Sequence, residues 1–212
     1  MAGGATIKKT ILLTVVMFSL AAFSLFSSSL LSFGPHYSYV TENALIDGEK
    51  GETTLHTSGV YLSFYKFSDY YDLGFFLHSS LSTLWEARVA TKDDIKHLYF
   101  NGNINNGYFS LSGGMAITER LSYDSYFYFG IGPSTHLFFF EAEDKPFLNF
   151  MFGVGFSMGY NYFITPSFYI DTGTIMDYNF LSYYKNPSTA KWIKEDNYGM
   201  YTIRYYLGFG FY

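Results

Sequence analysis

The last stretch of the chain, Tyr198 to Tyr212, alternates with a period of two. Tyr201, Ile203, Tyr205, Leu207, Phe209 and Phe211 share one parity; Met200, Thr202, Arg204, Tyr206, Gly208 and Gly210 share the other. Successive side chains of a strand point to opposite faces, so the segment predicts a strand with one large apolar face and one small or polar face. A barrel that crosses a membrane needs an apolar outside and a polar or tightly filled inside. A soluble barrel needs the reverse, and the rest of the chain decides between them.

Of the 212 residues, 23% are aromatic and only 15% are charged, against about 25% charged in an average soluble chain. Mean hydropathy is close to zero. A protein of many apolar helices would be far more hydrophobic, whereas strands alternating between lipid and lumen average out in this way. There is no cysteine, so disulfide frameworks and thiolate metal sites are excluded. A formal net charge of −5 offers no footprint for nucleic acid, and none is expected as a partner.

Lys8 and Lys9 precede an uncharged stretch from Thr10 to Phe33. Basic, then apolar, then small is the order of a secretory signal. Ser27-Ser28-Ser29 offers a cleavage region before Leu30, and Ala22 with Ser24 an earlier one before Leu25. The stretch is longer than the roughly 7–15 residues of a usual apolar core, so a membrane anchor of about 20 residues is the alternative. The expected organisation is a signal peptide over 1–29 and a barrel over 30–212.

Downstream charges cluster. Glu42, Asp47, Glu49, Lys50 and Glu52 form one group, and Glu86, Arg88, Lys92, Asp93, Asp94 and Lys96 a second. Glu141, Glu143, Asp144 and Lys145 form a third; Lys185, Lys191, Lys194, Glu195 and Asp196 form a fourth. Shorter breaks fall at Lys66, Asp69 and Asp72, and at Glu119, Arg120 and Asp124. Long polar segments alternating with short ones predict long loops at one end and tight turns at the other. Eight strands are predicted between the breaks, near 34–42, 55–67, 73–86, 106–119, 124–140, 146–160, 163–180 and 197–212. Pro35 is placed at a strand start, where it is tolerated, and an even count returns both termini to one side.

The facing pattern recurs. Phe127, Phe129, Ile131, Leu137 and Phe139 oppose Tyr128, Gly130, Gly132, Ser134 and His136; Phe150, Phe152, Val154, Phe156 and Met158 oppose Gly153, Gly155, Ser157 and Gly159. Small residues suit the narrow inside of a small barrel, where side chains nearly fill the lumen. Candidate lumen polar groups are His78, Tyr128, Ser134, His136 and Tyr169. Phe76, Leu84, Phe138 and Met151 fall on the inward parity as apolar lumen residues. Asp171 and Arg204 are the charges read as mid-strand, both on the inward parity. A loop centred near Pro187 would set them opposite one another, predicting a lumenal ion pair.

Other motifs carry little. Gly130-x-Gly132, Gly153-x-Gly155 and Gly208-x-Gly210 neither open a helix nor precede Lys-Ser/Thr, so no nucleotide loop is read. The five histidines contain no metal-binding pair of helical spacing, and no nucleophile-elbow motif accompanies the Ser, His and Asp residues. No catalytic residue, metal site or cofactor is expected. The uncharged run Pro146 to Ile170 contains Asn149, Asn161, Pro166 and glycines at two-residue spacing. It predicts a hairpin turning at Tyr160-Asn161-Tyr162 in place of a transmembrane helix.

With a signal-like N-terminus, eight alternating segments and a terminal aromatic strand, the region from Gly34 to Tyr212 resembles small outer-membrane barrels of the OmpX, OmpW and OmpA membrane-domain type. Tyr128-Phe129-Gly130-Ile131-Gly132-Pro133 is similar to strand phrasing in such barrels. Tyr205, Leu207, Phe209, Phe211 and Tyr212 resemble their C-terminal signal for the barrel-assembly machinery. The final aromatic of that family usually shares the outward parity; here Phe211 does, and Tyr212 lies one residue beyond. The resemblance implies an all-β, eight-stranded antiparallel up-and-down transmembrane barrel in the outer membrane of a diderm bacterium, exported and set in outer-membrane lipid. Its loops, Glu42 to Glu52 and Arg88 to Asn106, would meet an extracellular ligand or host surface. Two functions fit: a structural or adhesive surface role without a large pore, or OmpW-like transport of small, including hydrophobic, molecules. A lipid-modifying enzyme is a third class, without a readable signature here.

Overall fold

A computed structural model describes residues 29–46, 49–67, 73–90, 94–99, 106–142, 145–185, 191–195 and 199–211. The expected signal peptide therefore lies almost wholly outside the described residues, as does Tyr212. The period-two segments form β1 (Leu30–Ile46), β2 (Glu49–Phe67), β3 (Leu73–Ala90), β4 (Ile95–Tyr99), β5 (Gly107–Ser122), β6 (Ser125–Ala142), β7 (Lys145–Thr165), β8 (Phe168–Lys185), β9 (Trp192–Lys194) and β10 (Met200–Phe211). All belong to one antiparallel sheet in the order β10-β1-β2-β3-β5-β6-β7-β8-β9, with β4 on β3. β10 pairs with β1 on one edge and β8 on the other, so the pairings of the long strands return to their start.

The sheet holds ten strands where eight were expected. The additional two are short: β4 folds back on the end of β3, and β9 on the end of β8. Both arise from segments read as loops, where hairpin pairing satisfies backbone groups that charged side chains alone do not. The strands also outrun their expected ends. Glu42, Glu49 and Glu52 lie in the β1–β2 ladder, not in a loop, leaving only 47–48 between the two strands. Arg88 is likewise inside β3.

The turn expected at Tyr160-Asn161-Tyr162 is not there. β7 continues to Thr165 and turns at Pro166–Ser167. Proline presets the turn backbone, while Asn161 stays in the ladder and points inward to Asp171. Tyr123–Asp124 makes a second two-residue turn at the same end. That end also carries Leu30 and Phe211, and is called here the turn end; the opposite one, with β4 and β9, is the hairpin end.

Burial follows the parity. On β10, Met200, Thr202, Arg204 and Tyr206 are at most 4% exposed, whereas Tyr201, Tyr205, Leu207, Phe209 and Phe211 are 50–56% exposed. Apolar residues face outward and polar or small ones face inward, the reverse of a soluble barrel. On β3 a bulge at Trp85, opposite His56/Thr57, switches the parity beyond it: Trp85 points out, and Ala87 is buried after Leu84.

Two ladders are interrupted. β1 and β10 pair on both sides of Gly34 and Pro35 but not at them. β5 and β6 likewise skip from Ser112↔Ser134 to Met115↔Ile131, passing Gly132 and Pro133. Pro35, expected at a strand start, sits inside β1. A proline nitrogen cannot donate to a ladder, and at each interruption the facing backbones close in around glycine.

Candidate functional site

The inward parity fills the lumen in layers. Nearest the hairpin end lies an apolar layer of Val40, Tyr108, Phe138, Met151 and Met200, with Leu55 packed against it. Below it Arg204, 1% exposed, spans the interior. Its Nη2 donates to Asp177 Oδ2 at 2.6 Å and to Ser112 Oγ at 2.7 Å, and its Nη1 donates to Ser110. Ser112 in turn donates to Asp177 at 3.1 Å. His136 stands 3.7 Å from the same carboxylate and bonds the Tyr108 hydroxyl through Nδ1.

The next layer is built of phenols. The hydroxyls of Tyr65, Tyr128 and Tyr206 meet, and His78 Nε2 lies 2.9 Å from Tyr65 and 3.0 Å from Ser157. Asp171 accepts from Ser32, from Asn161 Nδ2 at 3.1 Å and from Tyr61 at 3.5 Å. Leu30, Tyr65, Phe76, Ala116, Tyr128 and Tyr169 form an apolar cluster toward the turn end. Between the Arg204 and phenol layers a cavity of about 10 Å³ is lined by His36, Tyr61, His78, Ser80, Arg204 and Tyr206, room for about one water.

All five lumen polar candidates, His78, Tyr128, Ser134, His136 and Tyr169, face inward with at most 1% exposure. Phe76, Leu84, Phe138 and Met151 are buried beside them. Asp171 and Arg204 are also inside, but they do not pair. Asp171 lies opposite Gly208, and Arg204 opposite Ile175, a register displaced by four residues from the expected one. A loop centre read from Pro187 was the error. An even displacement leaves every side chain on its face, so the orientations hold while the partners change. The partner of Arg204 is Asp177, overlooked near the end of its expected strand although it shares the parity of Asp171. Ser110 and Ser112, read only as small inward residues, complete the cradle.

Tyr205, Leu207, Phe209 and Phe211 of the expected assembly signal lie on the outward face of β10. Among the described residues, no three His, Asp or Glu side chains gather as a metal site.

The sequence matches no known protein-family profile and no characterised protein. The fold is similar to the outer membrane protein OprG from Pseudomonas aeruginosa, with a TM-score of 0.56 and 14% identity over 86% of this chain and 94% of that one. Neisserial surface protein A aligns over 87% of this chain and 99% of its own, at a TM-score of 0.49 and 12% identity. The attachment invasion locus protein Ail of Yersinia pestis aligns over 86% and 96%, at 0.46 and 17%. Only the first similarity is strong enough to argue from, and identity this low speaks to fold and not activity. The chain has an all-β, antiparallel, porin-like fold that resembles outer-membrane β-barrels.

Proposed function

We propose that the chain is an integral outer-membrane protein whose eight long strands close a transmembrane barrel, with β4 and β9 extending two hairpins outside. On β10 the outward apolar face runs from Tyr201 to Phe211. Ten steps at about 3.3 Å, tilted by about 40°, give a band about 25 Å tall, the height of a barrel's lipid belt. The turn end is then periplasmic. Outer-membrane lipid surrounds the belt, the assembly machinery reads Tyr205 to Tyr212, and the segment 1–29 directs export.

Its role is a structural or surface-interaction one without an open pore. The layer of Arg204, Asp177, Ser110 and Ser112 carries this reading, because it crosses the lumen with hydrogen-bonded side chains. The hairpin end is then the place to meet an extracellular ligand or host surface, as in the adhesive reading. Planar-bilayer recording of the refolded chain, with folding verified by a heat-dependent gel shift, is expected to be silent. Steady channel events would overturn it. They would favour transport of small apolar molecules, for which the layer of Val40, Phe138, Met151 and Met200 supplies a lining.

A further inference from the structure

The hairpin formed by β8 and β9 projects two lysines and two aromatic rings outward in a cross-strand pattern. Tyr183 pairs with Lys194, and Lys185 with Trp192. On their other side the same two β8 residues pair with Phe150 and Leu148 of β7. Phe150 is 40% exposed and Tyr183 36%, on the parity that faces away from the lumen. Trp192 is 52% exposed, Lys194 is exposed and Lys185 half-buried, and Lys191 adds an exposed third cation next to Trp192.

Among the described residues, the acid beside this face is turned away. The Glu195 carboxylate accepts a hydrogen bond from Ser182, an inward residue that also donates to Asn149. The Glu195 backbone N–H is fixed to the Ser182 carbonyl at 3.0 Å. Among the described residues no carboxylate pairs with Lys185, Lys191 or Lys194.

Height determines what such a face meets. Leu181, which pairs with Phe152, is the last large apolar residue on this face of β8 before Tyr183. The quartet therefore begins about two strand steps beyond hydrocarbon, in the headgroup zone, which adds about 5–7 Å on each side of the core. Tyrosine and tryptophan favour that zone, and lysine stems lie along apolar surface with the ammonium directed to the polar side.

We propose, resting on the membrane reading above, that Tyr183, Lys185, Trp192 and Lys194 form a binding site for the phosphorylated headgroup of an outer-leaflet glycolipid. Acyl chains lie against Phe152 and Phe180, whose rings meet edge to face, the two lysines take a phosphate, and the rings of Trp192 and Tyr183 cover the sugar. Continuity with the belt favours a lipid over a soluble glycan.

The test uses the refolded chain carrying Trp85→Phe, which leaves Trp192 as its one fluorophore of that type. It is titrated in micelles with a diphosphorylated diglucosamine glycolipid and with the same lipid stripped of phosphate. Trp192 emission is expected to shift with the phosphorylated lipid. Lys185→Gln with Lys194→Gln is expected to weaken that titration roughly tenfold or more, to the level of the stripped lipid. Equal binding of the two lipids, or an unchanged titration in the double variant, would overturn the site. Displacement of the lipid by a soluble sulfated polysaccharide would overturn the lipid assignment. Failure of the chain to insert into phospholipid vesicles would bring down the membrane reading itself; insertion with no lysine dependence removes only the headgroup site.

Discussion

Arg204→Ala is expected to destabilise the folded protein by about 3–5 kcal/mol, the cost of leaving one member of a buried pair without its partner. Asp177, 3% exposed, would be left with only Ser112 donating to it and His136 nearby. The measurement is urea unfolding of vesicle-inserted protein followed by the gel shift. A double-mutant cycle separates the two aspartates. Arg204 with Asp177→Asn is expected to couple by about 0.5–3 kcal/mol, and Arg204 with Asp171→Asn to add within about 0.5 kcal/mol. Asp171 lies four rungs away, opposite Gly208, about 13 Å along the strand. Its hydrogen bonds come from Ser32, Tyr61 and Asn161. Arg204→Met with Asp177→Leu is expected to recover most of the loss, because neither member of the pair is then left buried without its partner. An unchanged unfolding midpoint in Arg204→Ala would show that the pair contributes nothing to stability.

Gly132→Ala is the second expected lesion, at about 1–3 kcal/mol from overpacking. A Cβ at this position would lie 2.6 Å from the Cα of Gly114 on the facing strand, and against the carbonyl of Gly113. Backbone cannot yield there without breaking the neighbouring rungs. Gly130→Ala is expected to cost less, since its Cβ would meet the Phe76 ring, also at 2.6 Å, and a ring can rotate. Gly199→Ala, whose nearest neighbour is the Tyr178 hydroxyl at 3.6 Å, is expected to leave stability unchanged. The order Gly132, Gly130, Gly199 in unfolding midpoints checks the argument; equal midpoints would show that the close approach at Gly114 is not a constraint.

The faces of the strands were legible because side-chain period depends on nothing beyond the strand itself. Tyr201 to Phe211 could be assigned outward, and His78, Tyr128 and His136 inward, from parity alone. Register was not legible. It depends on where a hairpin folds, and the segment between Lys185 and Met200 folds β9 back on β8 instead of turning symmetrically about Pro187. Arg204 was therefore matched with the wrong aspartate on the right face. Strand ends were misread for a related reason. A charged residue does not by itself end a ladder, so Glu42 and Glu52 pair as part of β1 and β2. The phenol layer was missed because Tyr65 and Tyr206 come from distant strands, and nothing in either segment announces that their hydroxyls meet Tyr128.

The two interrupted ladders have a mechanical meaning. Following the pairings from β1, four long strands (β1, β2, β3 and β5) lead from the first interruption to the second, and four more (β6, β7, β8 and β10) lead back. The interruptions thus divide the ring of pairings into two runs of four long strands that meet along two weaker seams. A sheet divided in this way is expected to give along those two seams before it gives elsewhere. Backbone amides beside Gly34 and Gly132 should exchange with solvent deuterium ahead of those at Met158 or Ile170, whose rungs are intact on both sides.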